Sequence, residues 1–145
     1  MNIQFKIDIS AQSESVFAAV TTKQGYQGWW TNTCDIDSAI GGYSSIRFEK
    51  ENLTEEMCFT TIESIPNNKF VWLCTANNVF PSWVTTTITF AISPTRHGCE
   101  LVFKQSSEDP KWNKHEDYEP SKSGWDFFMD SLKEYCETGS GQPWG

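Results

Sequence analysis

The sequence predicts an α+β fold in which a curved antiparallel sheet of about six strands wraps around one long C-terminal helix, with short helices after the first strand. Three observations predict it. Residues 2–9 alternate apolar and polar side chains, five later segments do so between turn residues, and residues 120–139 carry one apolar stripe of helical period. Together these patterns indicate a sheet with one face exposed to solvent and the other face covered by a helix.

Composition excludes several classes of function. The 145 residues carry 19 acidic and 11 basic side chains, a net charge of −8, with no basic cluster. Binding to nucleic acid or to an anionic membrane surface is therefore disfavoured. No apolar run approaches the ~18 residues of a membrane-spanning helix, so we expect no integral membrane contact. No repeat or linker divides the chain, and we expect residues 1–145 to form a single domain.

The cysteines and the first residues predict a cytoplasmic protein. Residues 1–10 alternate in polarity and lack the continuous apolar core of a signal peptide. The five cysteines are odd in number and contain no Cys-x-x-Cys pair, which favours reduced thiols. His97 and His115 lie 18 positions apart with no clustered cysteine, so we expect no metal and no cofactor.

The first strand is followed by short helical segments. Ser13 is a candidate N-cap, and the helix that it begins ends before Gly25. Trp29 and Trp30 then lie in a turn or a second short helix. Two adjacent indoles on a helix do not both point inward on one face.

Five further strands are separated by turn residues. Proline and asparagine at 66–68 and the run at 94–98 mark tight reversals, which favour sequential antiparallel neighbours in a meander. The predicted strands span 42–50, 56–65, 69–77, 82–92 and 98–106.

Alternation along these strands predicts the two faces of the sheet. The inward face carries Ile46, Phe48, Phe70, Trp72, Cys74, Ala76, Val84, Ile88, Phe90, Ile92, Cys99, Leu101 and Phe103. The outward face carries Thr85, Thr87, Thr89, Glu100 and Lys104.

The long C-terminal helix has recognisable ends. Pro120 suits a first helical turn and Gly139 suits a C-cap, which predicts about five turns. Its apolar stripe consists of Trp125, Phe128, Met129, Leu132, Tyr135 and Cys136. Because a straight helix does not touch every strand of a twisted sheet, a gap between the two layers is expected. Lined by aromatic side chains, that gap would be an apolar pocket.

Candidate pocket-lining residues follow from these faces. They are Phe48, Trp72, Phe90, Phe103, Trp125, Phe128, Met129 and Leu132. The alternative is that the same residues form an ordinary packed core. Trp29 and Trp30 lie where a loop could gate the pocket, plug it, or present an exposed patch to a partner.

Three polar residues are candidates for the pocket or its entrance. Arg47 and Glu63 lie on predicted strands, and His115 precedes the C-terminal helix. The alternative for each is a solvated surface position. A buried carboxyl group would have a raised pKa and could act as an acid or base. The sequence contains no catalytic motif and no residue is assigned a catalytic role, so an enzyme is uncertain and disfavoured.

Several segments carry a family resemblance. They are Ser10-Ala11-x-x-Glu14-x-Val16-Phe17, Trp29-Trp30, Gly41-Gly42, and Gly124-Trp125-x-x-Phe128-x-x-x-Leu132-x-x-Tyr135-x-Glu137-Thr138-Gly139-x-Gly141. Together they resemble the START-like or SRPBCC superfamily, with the greatest likeness to Hsp-90 ATPase activator homologue-like proteins. The resemblance implies a helix-grip fold with a hydrophobic cavity.

The same resemblance implies three possible functions. Members of the superfamily bind lipids, sterols or polyketides, others act on a chaperone, and some catalyse cyclisation or dehydration. Binding of a lipid-like or polyketide-like molecule in the cavity is our leading hypothesis. The alternatives are a co-chaperone of an Hsp-90-type ATPase and a polyketide cyclase- or dehydratase-like enzyme. We expect a monomer or a weak dimer. Fold likeness alone is a weak argument for function.

Overall fold

A computed structural model describes residues 2–145, and Met1, which begins the predicted domain, lies outside the described residues. The strands are β1 (Asn2–Ile9), β2 (Thr33–Asp35), β3 (Tyr43–Lys50), β4 (Leu53–Ile65), β5 (Lys69–Asn77), β6 (Thr87–Thr95) and β7 (Gly98–Ser106). The helices are α1 (Ser13–Thr21), α2 (Lys23–Trp29) and α3 (Tyr118–Thr138). Single 3₁₀ turns lie at Pro81–Trp83 and Trp112–Lys114.

The seven strands form one antiparallel sheet in the order β1-β7-β6-β5-β4-β3-β2. Strands β2 to β7 are sequential neighbours, and β1 closes the far edge by pairing with β7 from Asn2↔Ser106 to Ile9↔Cys99. The predicted α+β fold and meander are confirmed. The seventh strand, β2, was not predicted because three residues are too few to show alternation.

Two β-bulges shift the alternation of side chains between β4 and β5. Cys58 pairs with Ala76 but Phe59 pairs with Cys74, so Thr75 is an extra residue on β5. The prediction that Ala76 faces inward is therefore wrong, and Ala76 is exposed. A second extra residue, Ile62 on β4, lies between the pairs that Thr61 and Glu63 make with β5. Bulges of this kind increase the local twist of the sheet.

The predicted strand 82–92 begins five residues later, at Thr87. Pro81 starts a 3₁₀ turn, and Thr85 has a positive φ of 74°, a conformation incompatible with a regular strand. The predictions that Val84 faces inward and that Thr85 belongs to the outer face of a strand are wrong. Val84 is 37% exposed, whereas Trp83 is buried.

The two short helices pack their aromatic residues inward. Gln12, one residue before the predicted Ser13, precedes α1, and the Thr22 hydroxyl accepts a hydrogen bond from Gly25 N to begin α2. Trp29 and Trp30 are both buried. Trp30 lies beyond the last helical residue, where its ring stacks on Trp29 at 5.5 Å.

Helix α3 lies across the apolar face of the sheet. It begins at Tyr118, places Pro120 in its first turn, and ends at Gly139 in the left-handed conformation with φ of 85°. Trp125 and Leu132 are buried, and the ring of Trp125 lies 4.4 Å from that of Phe103 on β7. Across residues 2–145, no helix combines the length and apolarity needed to cross a membrane.

Because of its buried cysteines, the protein is expected to lose stability at alkaline pH. Burial raises the pKa of all five thiols, and to about 12 for Cys74 and Cys136. In the unfolded chain thiols ionise near pH ~8.5, so above this value the unfolded state loses protons that the folded state keeps. We therefore expect the free energy of unfolding to fall as pH rises from about 8.5 towards 12.

Urea denaturation at about pH 7.5 and pH 10.5 measures this fall. A variant with Cys74→Ala and Cys136→Ala is expected to lose less stability between these two pH values than the wild-type protein, whatever its stability at neutral pH. An equal fall in the variant and the wild type would contradict the assignment to these thiols.

Candidate functional site

An open cavity of about 210 Å³ lies at one end of the interface between the sheet and α3. It is bounded by the β3–β4 hairpin, the connection between β5 and β6, the first half of α3 and the C-terminal residues. The lining consists of Trp30, Phe48, Lys50, Glu55, Met57, Val79, Phe80, Trp83, Ser121, Gly124, Trp125, Phe128 and Trp144. Seven of these thirteen residues are aromatic.

Six aromatic rings follow one another around the cavity, and we call this series the aromatic arc. Successive ring centroids are 5.5 Å apart for Phe80–Trp83, 5.4 Å for Trp83–Trp125, 5.0 Å for Trp125–Trp30, 6.3 Å for Trp30–Phe48 and 5.8 Å for Phe48–Trp144. These are ordinary contact distances for aromatic pairs. The arc begins on the β5–β6 connection and ends on the C-terminal segment.

Two indole N–H groups of the arc are already hydrogen-bonded to the protein. Trp83 Nε1 donates to Ser121 Oγ at 2.7 Å, and Trp125 Nε1 donates to the buried Gln105 Oε1 at 2.9 Å. A ligand therefore meets carbon surface at these two side chains, with their polar edges engaged elsewhere.

The β5–β6 wall of the cavity is attached to the N-terminus of α3. The backbone N and the hydroxyl of Ser82 both donate to Asp117 Oδ2, at 3.1 and 2.7 Å. At the other end of this wall, Asn77 Oδ1 accepts from the backbone N of Val79 and of Phe80. These bonds hold Phe80 and its neighbours in place without using an atom that faces the cavity.

Trp144 covers one side of the cavity from the C-terminal segment. Its backbone N donates to Trp30 O at 2.8 Å, and its carbonyl accepts from Asn32 N at 3.3 Å. The side chain is 38% exposed, so it lies at the boundary between the cavity and solvent.

The charged residues in the lining are Lys50 and Glu55, which form an ion pair across the β3–β4 hairpin although Lys50 lies opposite Leu53 and Glu55 opposite Phe48. Lys50 Nζ lies 2.6 Å from Glu55 Oε1. The Lys50 side chain is 49% exposed and the Glu55 side chain 20%, so the carboxylate is the more buried partner. The ion pair places the only formal charges of the lining at the cavity mouth.

The structure divides the predicted pocket residues into two groups. Phe48, Trp125 and Phe128 line the cavity, as does Trp30. The others lie in the packed core, where α3 packs against β1 and α1 packs against β5 and β6; these are Trp29, Trp72, Phe90, Phe103, Met129 and Leu132.

The three predicted polar residues lie away from the cavity lining. Arg47 pairs with Asp35 at 3.0 Å, and its guanidinium holds the pKa of that carboxyl below its ordinary value. Glu63 pairs with Lys69 at 3.4 Å, and His115 is 46% exposed. Among residues 2–145, no group of three or more His, Cys, Asp or Glu side chains is arranged to hold a metal ion.

Sequence periodicity did not identify most of the residues that line the cavity. The residues that it did not select are Lys50, Glu55, Met57, Val79, Phe80, Trp83, Ser121, Gly124 and Trp144. One signal was available in Gly124, a glycine inside the long helix next to Trp125. Glycine there costs about 1 kcal/mol relative to alanine, so helix propensity does not account for its presence.

An antiparallel sheet that grips a long C-terminal helix, with an open aromatic cavity between them, defines the helix-grip class of α+β proteins. A sequence profile described as Activator of Hsp90 ATPase homolog 1-like protein matches residues 10–137. The chain therefore belongs to the Activator of Hsp90 ATPase homolog 1-like family, and the resemblance seen in the sequence is confirmed.

Solved structures share the fold over nearly the whole chain. The Aha1 dimer from Colwellia psychrerythraea is 28% identical with a TM-score of 0.77, covering 97% of this chain and 99% of that one. Protein SSP2350 from Staphylococcus saprophyticus is 20% identical, with a TM-score of 0.77 and coverages of 98% and 96%. DynU16, a putative protein in the dynemicin biosynthetic locus, is 15% identical with a TM-score of 0.76. The match covers 97% of this chain and 48% of that one. No curated protein matches the sequence.

Proposed function

We propose that this protein binds a small hydrophobic molecule in the aromatic-lined cavity between the sheet and α3. The observation that carries the proposal is the aromatic arc, whose rings border an open volume of about 210 Å³. Protein interiors are packed to crystal-like density, so an open apolar volume beside a closely packed core supports a binding role.

The size of the cavity supports a small ligand, or a larger one bound by one end. Pockets for drug-sized molecules occupy about 300–1,000 Å³, whereas this cavity is about 210 Å³. A lipid-like or polyketide-like ligand would place one ring or a branched alkyl end against the aromatic arc. The remainder would extend past Trp144 and the Lys50–Glu55 pair into solvent.

Titration with 3-tert-butylphenol, followed by NMR of the indole N–H resonances, tests this proposal. We expect saturable shifts for Trp30, Trp83 and Trp125, with little change for Trp72, which is buried in the core away from the cavity. The absence of saturable shifts, or equal shifts at Trp72, would overturn the proposal.

A second candidate is a co-chaperone function on an Hsp90-type ATPase. Its support is the family description together with the 28% identical Aha1 dimer from Colwellia psychrerythraea. Since that relative is described as a dimer, a weak dimer of this chain is part of this candidate. The test is the turnover rate of an Hsp90-type ATPase with and without the protein, and an unchanged rate would remove the candidate.

The cyclase- or dehydratase-like alternative lacks its candidate acid–base groups. Arg47, Glu63 and His115 lie outside the cavity lining, and the charged residues within it, Lys50 and Glu55, are paired with each other. General acid–base catalysis requires a titratable group within hydrogen-bonding reach of the substrate. We therefore favour binding over catalysis.

A further inference from the structure

We propose that the cavity selects organic cations, specifically a quaternary or alkylated ammonium group that carries an apolar substituent. This inference rests on the proposed binding function and names the class of ligand. It is carried by the unstacked rings of Phe48 and Trp144, by the order of burial in the Lys50–Glu55 pair, and by the charge of the surrounding hairpin.

Two rings of the aromatic arc can present a face to a cation. Aromatic faces carry the negative part of the ring quadrupole and the edges the positive part. Phe80, Trp83 and Trp125 stack on one another at interplanar angles of 25° and 13°, so they largely cover each other's faces. Phe48 and Trp144 meet each other at 87° and are not stacked on another ring of the arc. A cation within ~6 Å of these two rings gains attraction that an apolar group of the same shape does not.

The ion pair at the mouth favours a cation over an anion. A bound ammonium group would take the place of Lys50 beside Glu55, and the half-exposed Lys50 would extend into water at little cost. A bound anion would instead displace Glu55 from Lys50. The carboxylate is the more buried of the two groups, and leaving it unpaired is the more costly exchange.

The charge around the mouth has the same sign as Glu55. Glu49 and Glu51 flank Lys50 on the β3–β4 hairpin, and both are exposed. The whole chain carries a net charge of −8. Such a field concentrates cations near the mouth and repels anions, with an effect that decreases as salt is added.

Three probes of one shape separate the effect of charge from the effect of shape. They are 3-hydroxyphenyltrimethylammonium, its neutral carbon isostere 3-tert-butylphenol, and the anion 3-hydroxybenzenesulfonate, used at about pH 6.5 with the indole N–H resonances as the readout. We expect the cation to bind about tenfold more tightly than the isostere, and the anion most weakly.

A variant at Glu55 measures how much the charge at the cavity mouth contributes to binding of the cation. Glu55→Gln keeps the shape of the side chain, so we expect it to weaken binding of the cation about fivefold more than binding of 3-tert-butylphenol. Glu63→Gln is the matched control, since it makes the same change in net charge outside the cavity lining. The control is expected to bind all three probes as the wild type does.

The outcomes distinguish this inference from the proposed function. If 3-tert-butylphenol binds as tightly as the cation, or the sulfonate binds most tightly, the cation inference is overturned while apolar binding stands. Equal losses for Glu55→Gln and Glu63→Gln would also overturn it. If none of the three probes produces saturable shifts, both proposals fail.

Discussion

Replacing Trp125 with alanine is expected to lower the free energy of unfolding by about 4 kcal/mol, the range measured for large aromatic residues removed from cores. The Trp125 ring lies 4.4 Å from that of Phe103, 5.0 Å from Trp30 and 5.4 Å from Trp83, so it joins α3 to the sheet, to the residue after α2 and to the 3₁₀ turn before β6. Domains of this size have ~5–15 kcal/mol of stability in total, so the loss is a large part of it.

A hydrogen bond adds to this loss. Trp125 Nε1 donates to Gln105 Oε1, and Gln105 Nε2 donates to Thr86 Oγ1 at 3.1 Å. Gln105 is completely buried, so without the indole its oxygen has no partner. Trp125→Phe keeps most of the packing and removes this bond, and we expect it to cost ~1–3 kcal/mol.

Urea denaturation followed by circular dichroism measures both losses. Phe127→Ala is the matched control, because Phe127 lies on the same helix but is 55% exposed. We expect this control to change stability by less than ~1 kcal/mol. Similar losses for Trp125→Ala and Phe127→Ala would contradict the packing of α3 against the sheet.

Replacing Gly124 with leucine is expected to abolish binding of 3-tert-butylphenol, with at least a tenfold loss of affinity, while the protein stays folded. Gly124 lies within α3 and lines the cavity. A Cβ at this position meets no atom within 4 Å, so a leucine side chain has room to enter the cavity from the helix. It would occupy the volume that the ligand needs.

Stability distinguishes a filled cavity from a damaged fold. Gly124→Ala adds a methyl group into open space and improves helix propensity, so we expect it to raise the free energy of unfolding by up to ~1 kcal/mol. Gly124→Leu is expected to be at least as stable as the wild type, because its side chain buries apolar surface against the aromatic arc. Unchanged binding in a folded Gly124→Leu protein would contradict the assignment of this cavity.

Part of the candidate site was accessible from the sequence. Phe48, Trp125 and Phe128 were selected by strand and helix periodicity, and the structure places all three in the cavity lining. The same periodicity selected Trp72 and Leu132, which lie in the packed core. Periodicity assigns a residue to a face of the sheet or helix, and one face holds both the filled and the open parts of the interface.

Other differences arise where a local irregularity breaks a regular pattern. The extra residue Thr75 reverses the direction of Ala76, and the positive φ of Thr85 delays the start of β6. Trp83 enters the cavity wall from the 3₁₀ turn that replaces the predicted start of that strand. Neither a bulge nor such a turn can be recognised from the alternation of apolar and polar residues. The predicted inward and outward faces are therefore wrong at these positions.

The sequence by itself determined the α+β architecture, since alternating polarity and a single helical stripe are local properties that specify which face of each element is buried. Only the tertiary structure decided where the open space lies. The cavity forms where Phe80, Trp144 and the Lys50–Glu55 pair meet α3, and these residues come from distant parts of the chain. Their meeting depends on the bulges, the β5–β6 connection and the C-terminal segment, because long-range packing, and not local periodicity, determines which gaps are filled.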